Sequence, residues 1–103
     1  MNTNMDLEVI TRNQLHTFMD TITKQRDEQM ISRIVHQVYE MVLASAKKGM
    51  ISVKWSSDEY FFDNFMEYTP LHVIRACVRI QELFPDSKVL NQNSLREIIV
   101  NWV

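Results

Sequence analysis

Apolar residues recur every three or four positions through the first half of the chain, which is the spacing of an amphipathic helix. Leu15, Phe18 and Ile22 form a first stripe. A second stripe follows with the same spacing, at Ile31, Ile34, Val35, Val38 and Val42. At about 100° per residue, the two stripes point to nearly opposite faces of one straight helix.

The polar run 24–29 between the stripes decides whether this region is one helix or two. A single helix over residues 14–48 would be about 50 Å long, whereas a compact domain of this size has a radius of gyration of about 13 Å. We therefore predict a break in this run, with one helix over residues 12–23 and a longer one over 27–48. The alternative is an unbroken helix whose two stripes serve different partners, and it would imply an oligomer.

Local signals mark both ends of this helical region. Thr11 and Gln14 have the spacing of a capping box, so a helix is expected to begin near residue 12. Lys47 and Lys48 complement the negative end of a helix, and Gly49 can adopt the left-handed conformation that closes it.

Apolar and polar residues alternate over residues 50–55, with Ile51, Val53 and Trp55 on one side, and this alternation predicts a strand. A shorter alternation over residues 5–9 predicts a strand on fewer positions. Residues 57–67 follow a second capping-box spacing and predict a short helix, although their aromatic run would also suit a strand.

The C-terminal third predicts one helix and a β-hairpin. Thr69 as N-cap and Pro70 at the first helical position predict a helix over residues 70–84, and Pro85 ends it. This helix is expected to have a polar side opposite an apolar one. The polar side consists of His72, Arg75, Arg79, Glu82 and Asp86, and the apolar side of Val73, Ile74, Cys77, Ile80 and Phe84. Two candidate strands, residues 87–90 and 96–102, flank the turn-rich run 91–94.

These elements together predict an α+β fold, in which a small antiparallel or mixed sheet carries the helices on one face. Residues 1–103 are expected to form a single domain, because no segment has the composition of a linker. The apolar content of 46% suffices for one core, and a single glycine with two prolines disfavours an all-β architecture rich in tight turns.

Charge and cysteine content narrow the classes of protein further. The net charge of −2 gives no general attraction to nucleic acid or anionic lipid. The one cysteine, Cys77, excludes an intramolecular disulfide and fits a reducing compartment. The first residues lack the pattern of a signal peptide, and no stretch has the length and apolarity of a membrane span. We therefore expect an intracellular protein of the cytoplasm or nucleus.

Candidate chemistry is sparse, and we predict neither an enzyme nor a cofactor or metal site. His16 with Asp20, and His36 with Glu40, have the four-residue spacing of two metal ligands, but a site needs a third. One glycine cannot build the phosphate-binding loops of common nucleotide enzymes. Cys77 is expected to be a buried structural thiol.

Two interaction hypotheses remain. The first is a non-enzymatic protein that binds a protein partner or its own copies through an apolar stripe or the aromatic, acidic segment from Tyr60 to Tyr68. The candidate partner-binding residues of that segment are Tyr60, Phe61, Phe65 and Tyr68. The alternative is a nucleic-acid-binding regulator, whose candidate phosphate-facing residues are Arg75, Arg79, Lys88 and Arg96.

The order of several short motifs resembles that of small, uncharacterised α+β proteins encoded by large nucleocytoplasmic DNA viruses. The resemblance covers about residues 30–103 and rests on Ala46-Lys-Lys-Gly49, Ser52, Trp55, Phe84-Pro-Asp-Ser-Lys-Val89 and Ile98-Ile-Val-Asn-Trp102. Members of that group often have an acidic residue before the final tryptophan and a small polar one after it, where this chain has Asn101 and Val103. The resemblance implies a viral accessory or virion-associated role, with the host cytoplasm, nucleus or virion as location. It implies no catalytic or binding residues.

Overall fold

The computed structural model describes residues 7–60 and 67–103, which form two helices and a three-stranded antiparallel sheet. In chain order the elements are α1 (Arg12–Lys47), β1 (Ser52–Ser56), α2 (Pro70–Leu83), β2 (Lys88–Gln92) and β3 (Glu97–Asn101). The predicted α+β class is confirmed, with the helices packed on one face of the sheet.

The helix α1 runs without interruption through the run 24–29, so the predicted break into two helices is wrong. This run contains neither glycine nor proline, and Lys, Gln, Arg and Glu are good helix formers. The prediction failed because it assumed a compact shape. The molecule instead extends 67 × 26 × 25 Å, with a radius of gyration of 19.2 Å.

Both predicted ends of this helical region are confirmed by their hydrogen bonds. The Gln14 backbone N–H donates to the Thr11 hydroxyl at 3.2 Å, and the Thr11 N–H donates to the Gln14 side-chain oxygen at 2.8 Å. Gly49 has a φ of 81°, and its N–H donates to the Ala46 carbonyl at 3.0 Å. The left-handed glycine therefore turns the chain from α1 toward β1.

In the sheet, β3 lies between β1 and β2, and both pairings are antiparallel. Trp55 and Asn91 are both opposite Ile98, so these three residues share one face of the sheet. The predicted strand 50–55 and the predicted hairpin strands 87–90 and 96–102 are each found within two residues of their expected bounds.

The core lies between that inner face and the two helices, with α1 packed over β1 and α2 over β2. Its buried apolar members are Met30, Ile31, Ile34, Val38, Val42, Val53, Trp55, Tyr68, Val73, Ala76, Ile80, Ile98 and Val100. The indole N–H of Trp55 donates to the Gln37 side-chain oxygen at 2.9 Å, so the polar atom of this buried ring is satisfied. Within the described residues, the core begins only at Met30.

Most of the predicted apolar side of α2 is buried or packed against the core, and the exceptions to the prediction are His72 and Ile74. His72 is buried together with Val73, Ala76 and Ile80, while Ile74 is exposed. The prediction placed His72 on the polar side, and it was wrong because His72 has a buried hydrogen-bonding role that periodicity does not reveal. The predicted start of α2 after Thr69 is confirmed.

Two shorter predictions fall on segments without regular structure. Residues 7–10 form no strand, so the part of the 5–9 strand that the structure describes is not found. Residues 57–59 form a turn rather than the start of a helix, and the Ser57 N–H donates to the Arg96 carbonyl at 2.9 Å. The rest of that predicted element, residues 61–66, lies outside the described residues.

Candidate interaction surface

The N-terminal half of α1 carries an apolar stripe that lies in solvent. Leu15, Phe18, Met19 and Ile22 are 50%, 54%, 62% and 55% exposed. All residues from Thr11 to Arg26 are exposed in the part of the chain that the structure describes. Sequence periodicity identified three members of this stripe but missed Met19, whose position one turn after Leu15 would have revealed it.

The exposed N-terminal stripe and the buried stripe of α1 lie on the same helix but point in different directions. Ile22 and Ile34 are twelve residues apart, so their side chains point about 120° apart around the axis. The α2 helix and the sheet pack only against the side that carries Ile34. We call the sheet, α2 and the half of α1 from Met30 onward the body of the protein. A second chain can therefore reach the N-terminal stripe without displacing any described element of the body.

The exposed half of α1 is intrinsically a weak helix. It contains Asn13, Thr17, Asp20, Thr21 and Thr23, all of which have lower helix propensity than alanine or leucine. Isolated helices of this length are marginal in water even for better sequences. The capping box at Thr11 contributes about 1 kcal/mol, so covering the stripe would be the main further source of stability.

The structure places the aromatic segment differently from the stripe. Tyr68 is buried, with its ring 5.5 Å from that of Trp55 in an edge-on arrangement, and the Tyr60 ring stacks on Trp55 at 5.8 Å. Burial raises the pKa of the Tyr68 hydroxyl, an effect that nearby Arg33 opposes.

Tyr68 therefore belongs to the core and not to an exposed docking surface, and half-buried Tyr60 belongs to its edge. The prediction assigned them to a partner because an aromatic, acidic run is typical of an exposed segment. The other two candidates, Phe61 and Phe65, lie outside the described residues.

The candidate basic residues do not form one patch. Arg79 donates to both oxygens of Glu28, with the longer bond at 2.8 Å, and Arg96 lies 3.6 Å from Asp58. Arg75 is exposed on α2. Lys88 and Arg96 lie at opposite ends of the β2–β3 hairpin, about 13 Å or more apart along the strands.

A hydrogen-bonded chain joins α1 to the start of α2. Buried His72 places Nε2 at 2.7 Å from the Asp27 carboxylate, and its Nδ1 accepts from the Thr69 N–H at 3.1 Å. Because a backbone N–H only donates, Nδ1 is unprotonated and Nε2 carries the proton that is donated to Asp27. His72 thereby closes a capping box from its side chain while fixing the angle between the helices.

The described residues contain no cluster of metal-ligating side chains. Among residues 7–60 and 67–103, no group of three or more His, Cys, Asp or Glu side chains could hold a metal ion. His16 and His36 each have an acidic residue four positions further along α1, but within the described residues neither pair has the third ligand that a metal site needs. Cys77 is partly buried at the edge of the core, and burial raises the pKa of its thiol, which disfavours the reactive thiolate.

Neither described helix has the combined length and apolarity needed to cross a membrane. Comparison of the chain with protein-family models, with curated proteins and with solved structures gives no match.

Proposed function

We propose that this protein is a non-enzymatic interaction module that binds another protein chain through the N-terminal half of α1. The observation that supports this proposal is the stripe of Leu15, Phe18, Met19 and Ile22, four large apolar side chains at helical spacing that are each at least half exposed. Such spacing is how an amphipathic helix presents anchors to a groove or to another helix.

Leaving this apolar surface in water is energetically unfavourable. Burying one large apolar side chain contributes about 1.5–3 kcal/mol, so the half-exposed stripe offers several kcal/mol to a partner. The same burial would stabilise a helical segment that its own sequence supports weakly. Isolated exposed apolar residues need no explanation, but a contiguous stripe marks an interaction site.

A photoreactive amino acid placed at position 18 tests this function in the full chain. We expect covalent adducts with a protein chain after irradiation in the native cell, because the side chain at this position would lie inside the interface. The matched control is the same amino acid at position 24, where Lys24 is also exposed on α1 but points away from the stripe. Equal adducts at both positions, or none at position 18, would contradict the proposal.

The viral accessory or virion-associated role stays a prediction from the resemblance, and adducts with viral proteins in infected cells would support it. The nucleic-acid alternative has less geometric support, since Arg79 and Arg96 each form an ion pair with a carboxylate, Glu28 and Asp58 respectively. Binding to DNA or RNA at low salt that weakens when Arg75 and Arg79 become alanine would favour it over the interaction module.

A further inference from the structure

The exposed stripe is one end of a longer seam along α1. Positions spaced alternately by three and four residues, beginning at Leu15, run the length of the helix, as in a coiled coil. They are Leu15, Phe18, Ile22, Gln25, Gln29, Ser32, His36, Tyr39, Leu43 and Ala46. None of the Asp, Glu, Lys or Arg residues of α1 falls on this seam, and all its members except half-buried Ser32 are exposed.

The seam has the same pattern in both directions. Three apolar residues at one end (Leu15, Phe18, Ile22) are followed by four polar ones at the centre and three with apolar contact surface at the other end (Tyr39, Leu43, Ala46). Reversing the helix about the point between residues 30 and 31 therefore matches apolar with apolar and polar with polar. A two-fold axis perpendicular to the helix produces this reversal.

From this pattern we propose that the partner is a second copy of the chain, with two α1 helices packed antiparallel along the seam. In this register Phe18 of each copy faces Leu43 of the other, and Ile22 faces Tyr39. Gln25 faces His36 nearer the centre, where both side chains can hydrogen-bond. The inference rests on the proposed function, because it names the chain that covers the N-terminal stripe.

A stable dimer needs both ends of the seam. Leu15, Phe18, Met19, Ile22, Tyr39 and Leu43 are each 40–62% exposed. Each partner of an interface of standard size contributes about 800 Å². Four half-exposed side chains cannot supply that area, so the polar centre and the C-terminal end of the seam have to contribute as well.

The antiparallel orientation also provides a neighbour for the weak half of the helix. The body of the protein packs around the C-terminal half of α1, and Tyr39 there stacks on Phe84 at 5.7 Å. An antiparallel partner lays its exposed N-terminal half against this supported half. A parallel partner would pair the two unsupported halves with each other.

Sedimentation of the wild-type chain and of two variants tests the inference. We expect the wild type to sediment at twice the 12.3 kDa chain mass at tens of micromolar. Phe18→Lys and Leu43→Glu should each weaken self-association at least about 30-fold, the effect of removing an interface hot spot. Lys24→Glu, on the side of α1 away from the stripe, is the matched control and should remain dimeric. Circular dichroism should show that each variant keeps a folded body.

Mixing the two variants tests the orientation. In the antiparallel register the lysine introduced at position 18 of one chain would face the glutamate introduced at position 43 of the other. At the other end of the mixed dimer, the unchanged Phe18 of the Leu43→Glu chain would face the unchanged Leu43 of the Phe18→Lys chain. The mixture should therefore dimerise more tightly than either variant alone. A parallel pair would bring no opposite charges together, and a mixture without recovery would overturn the antiparallel arrangement.

The outcomes separate this inference from the proposed function. A wild-type chain that remains monomeric while position 18 crosslinks to a different protein would overturn the dimer and leave the interaction module standing. Crosslinks from position 18 that stay within one copy of the chain would overturn both. Crosslinks from position 18 to the region of residue 43 on a second copy would support the dimer.

Discussion

At the scale of single residues, the β2–β3 turn holds three consecutive non-glycine residues in left-handed conformation. Asn93, Ser94 and Leu95 have φ values of 55°, 57° and 66°. Asparagine tolerates this region, whereas leucine has a steric penalty of about 1–2 kcal/mol there. Gln92 pairs with Glu97, so the four residues 93–96 have to reverse the chain between these two positions, and the pairing of β2 with β3 holds them in this conformation.

We expect Leu95→Gly to stabilise the protein by about 1 kcal/mol, because glycine relieves the penalty at position 95 while its greater freedom in the unfolded chain offsets part of the gain. Urea denaturation would measure the change. Gly49→Ala is the reciprocal control, since its φ of 81° should make the alanine variant less stable. An unchanged or lower midpoint for Leu95→Gly would show that the turn is not strained at this residue.

Asp27 is the residue that connects the start of α2 to α1. Replacing it with alanine removes the acceptor for the Nε2–H of buried His72, and we expect a loss of about 1–3 kcal/mol in unfolding free energy. Asp27→Asn keeps an acceptor of similar shape and should lose less. Similar losses for the two variants would mean that charge, not the hydrogen bond, stabilises this contact.

Glu97 gives the expected pH dependence. Its pKa is lowered mainly by a hydrogen bond from Gln92, with further contributions from Asn93 and Lys54, while desolvation acts in the opposite direction. A carboxyl whose pKa is lower in the folded than in the unfolded protein stabilises the fold at pH values above its ordinary pKa of 4.5. This contribution is lost as the pH falls through the pKa of the folded state.

Glu97→Gln should therefore unfold at lower urea concentration than the wild type at pH 7, and the two midpoints should converge as the solution is acidified below the ordinary glutamate pKa. Gln92→Ala, which removes the main hydrogen bond, should behave in the same direction. A difference in urea midpoint between wild type and Glu97→Gln that stays constant from pH 7 to acidic pH would show that ionised Glu97 does not stabilise the fold.

At the scale of elements, α1 combines a packed half and an exposed half that are stabilised differently. Thr21 and Thr23 lie in the exposed half, off the apolar stripe, where only intrinsic propensity and the cap act within the described structure. Replacing both with alanine should favour helix by roughly 0.5 kcal/mol per site. At concentrations low enough to dissociate an assembly, circular dichroism in the far ultraviolet should show a gain in helix.

The matched control for this prediction is Ser45→Ala, in the half of α1 that the body supports, where the helix is already fully formed and little signal should be gained. No gain from the threonine replacements would indicate that the exposed half is already fully helical in the isolated chain.

The elements also show what the sequence could and could not predict. Caps and breakers are local, so Thr11, Thr69 and Gly49 identified three helix ends correctly. The continuity of α1 depends on whether an exposed helical half is tolerated, and a length argument based on compactness gave the wrong answer. The burial of His72 depends on its hydrogen bond to Asp27, which is 45 positions away in the sequence. The apolar periodicity of neither helix predicts a contact between these two residues.

The candidate site was predictable only in part for the same reason. The stripe at Leu15, Phe18 and Ile22 was visible in sequence, but its exposure followed only from the position of the body. Conversely, Tyr68 belongs to an aromatic run that is typical of a surface segment, and its burial follows from contact with Trp55 across the fold. Arg79 and Arg96 likewise meet their carboxylates through tertiary contacts.

At the scale of the whole molecule, the body and the exposed half of α1 are separable. The described core contains no residue before Met30, and the contact that ties α1 to α2 begins at Asp27. We expect a chain of residues 24–103 to fold cooperatively, with a melting temperature within a few degrees of that of the dissociated full-length chain. A truncated chain without a cooperative transition would show that the removed residues contribute to the body.

The strand order has a consequence for how the protein is made. The middle strand of the described sheet, β3, is synthesised after both of its neighbours, so β1 and β2 lack this partner on the ribosome until β3 emerges. A nascent chain halted before residue 97 would present two unpaired strands and the apolar sides of both helices to chaperones. Only after β3 has left the exit tunnel can the nascent polypeptide pair all three strands, so the sheet forms in one late step rather than strand by strand.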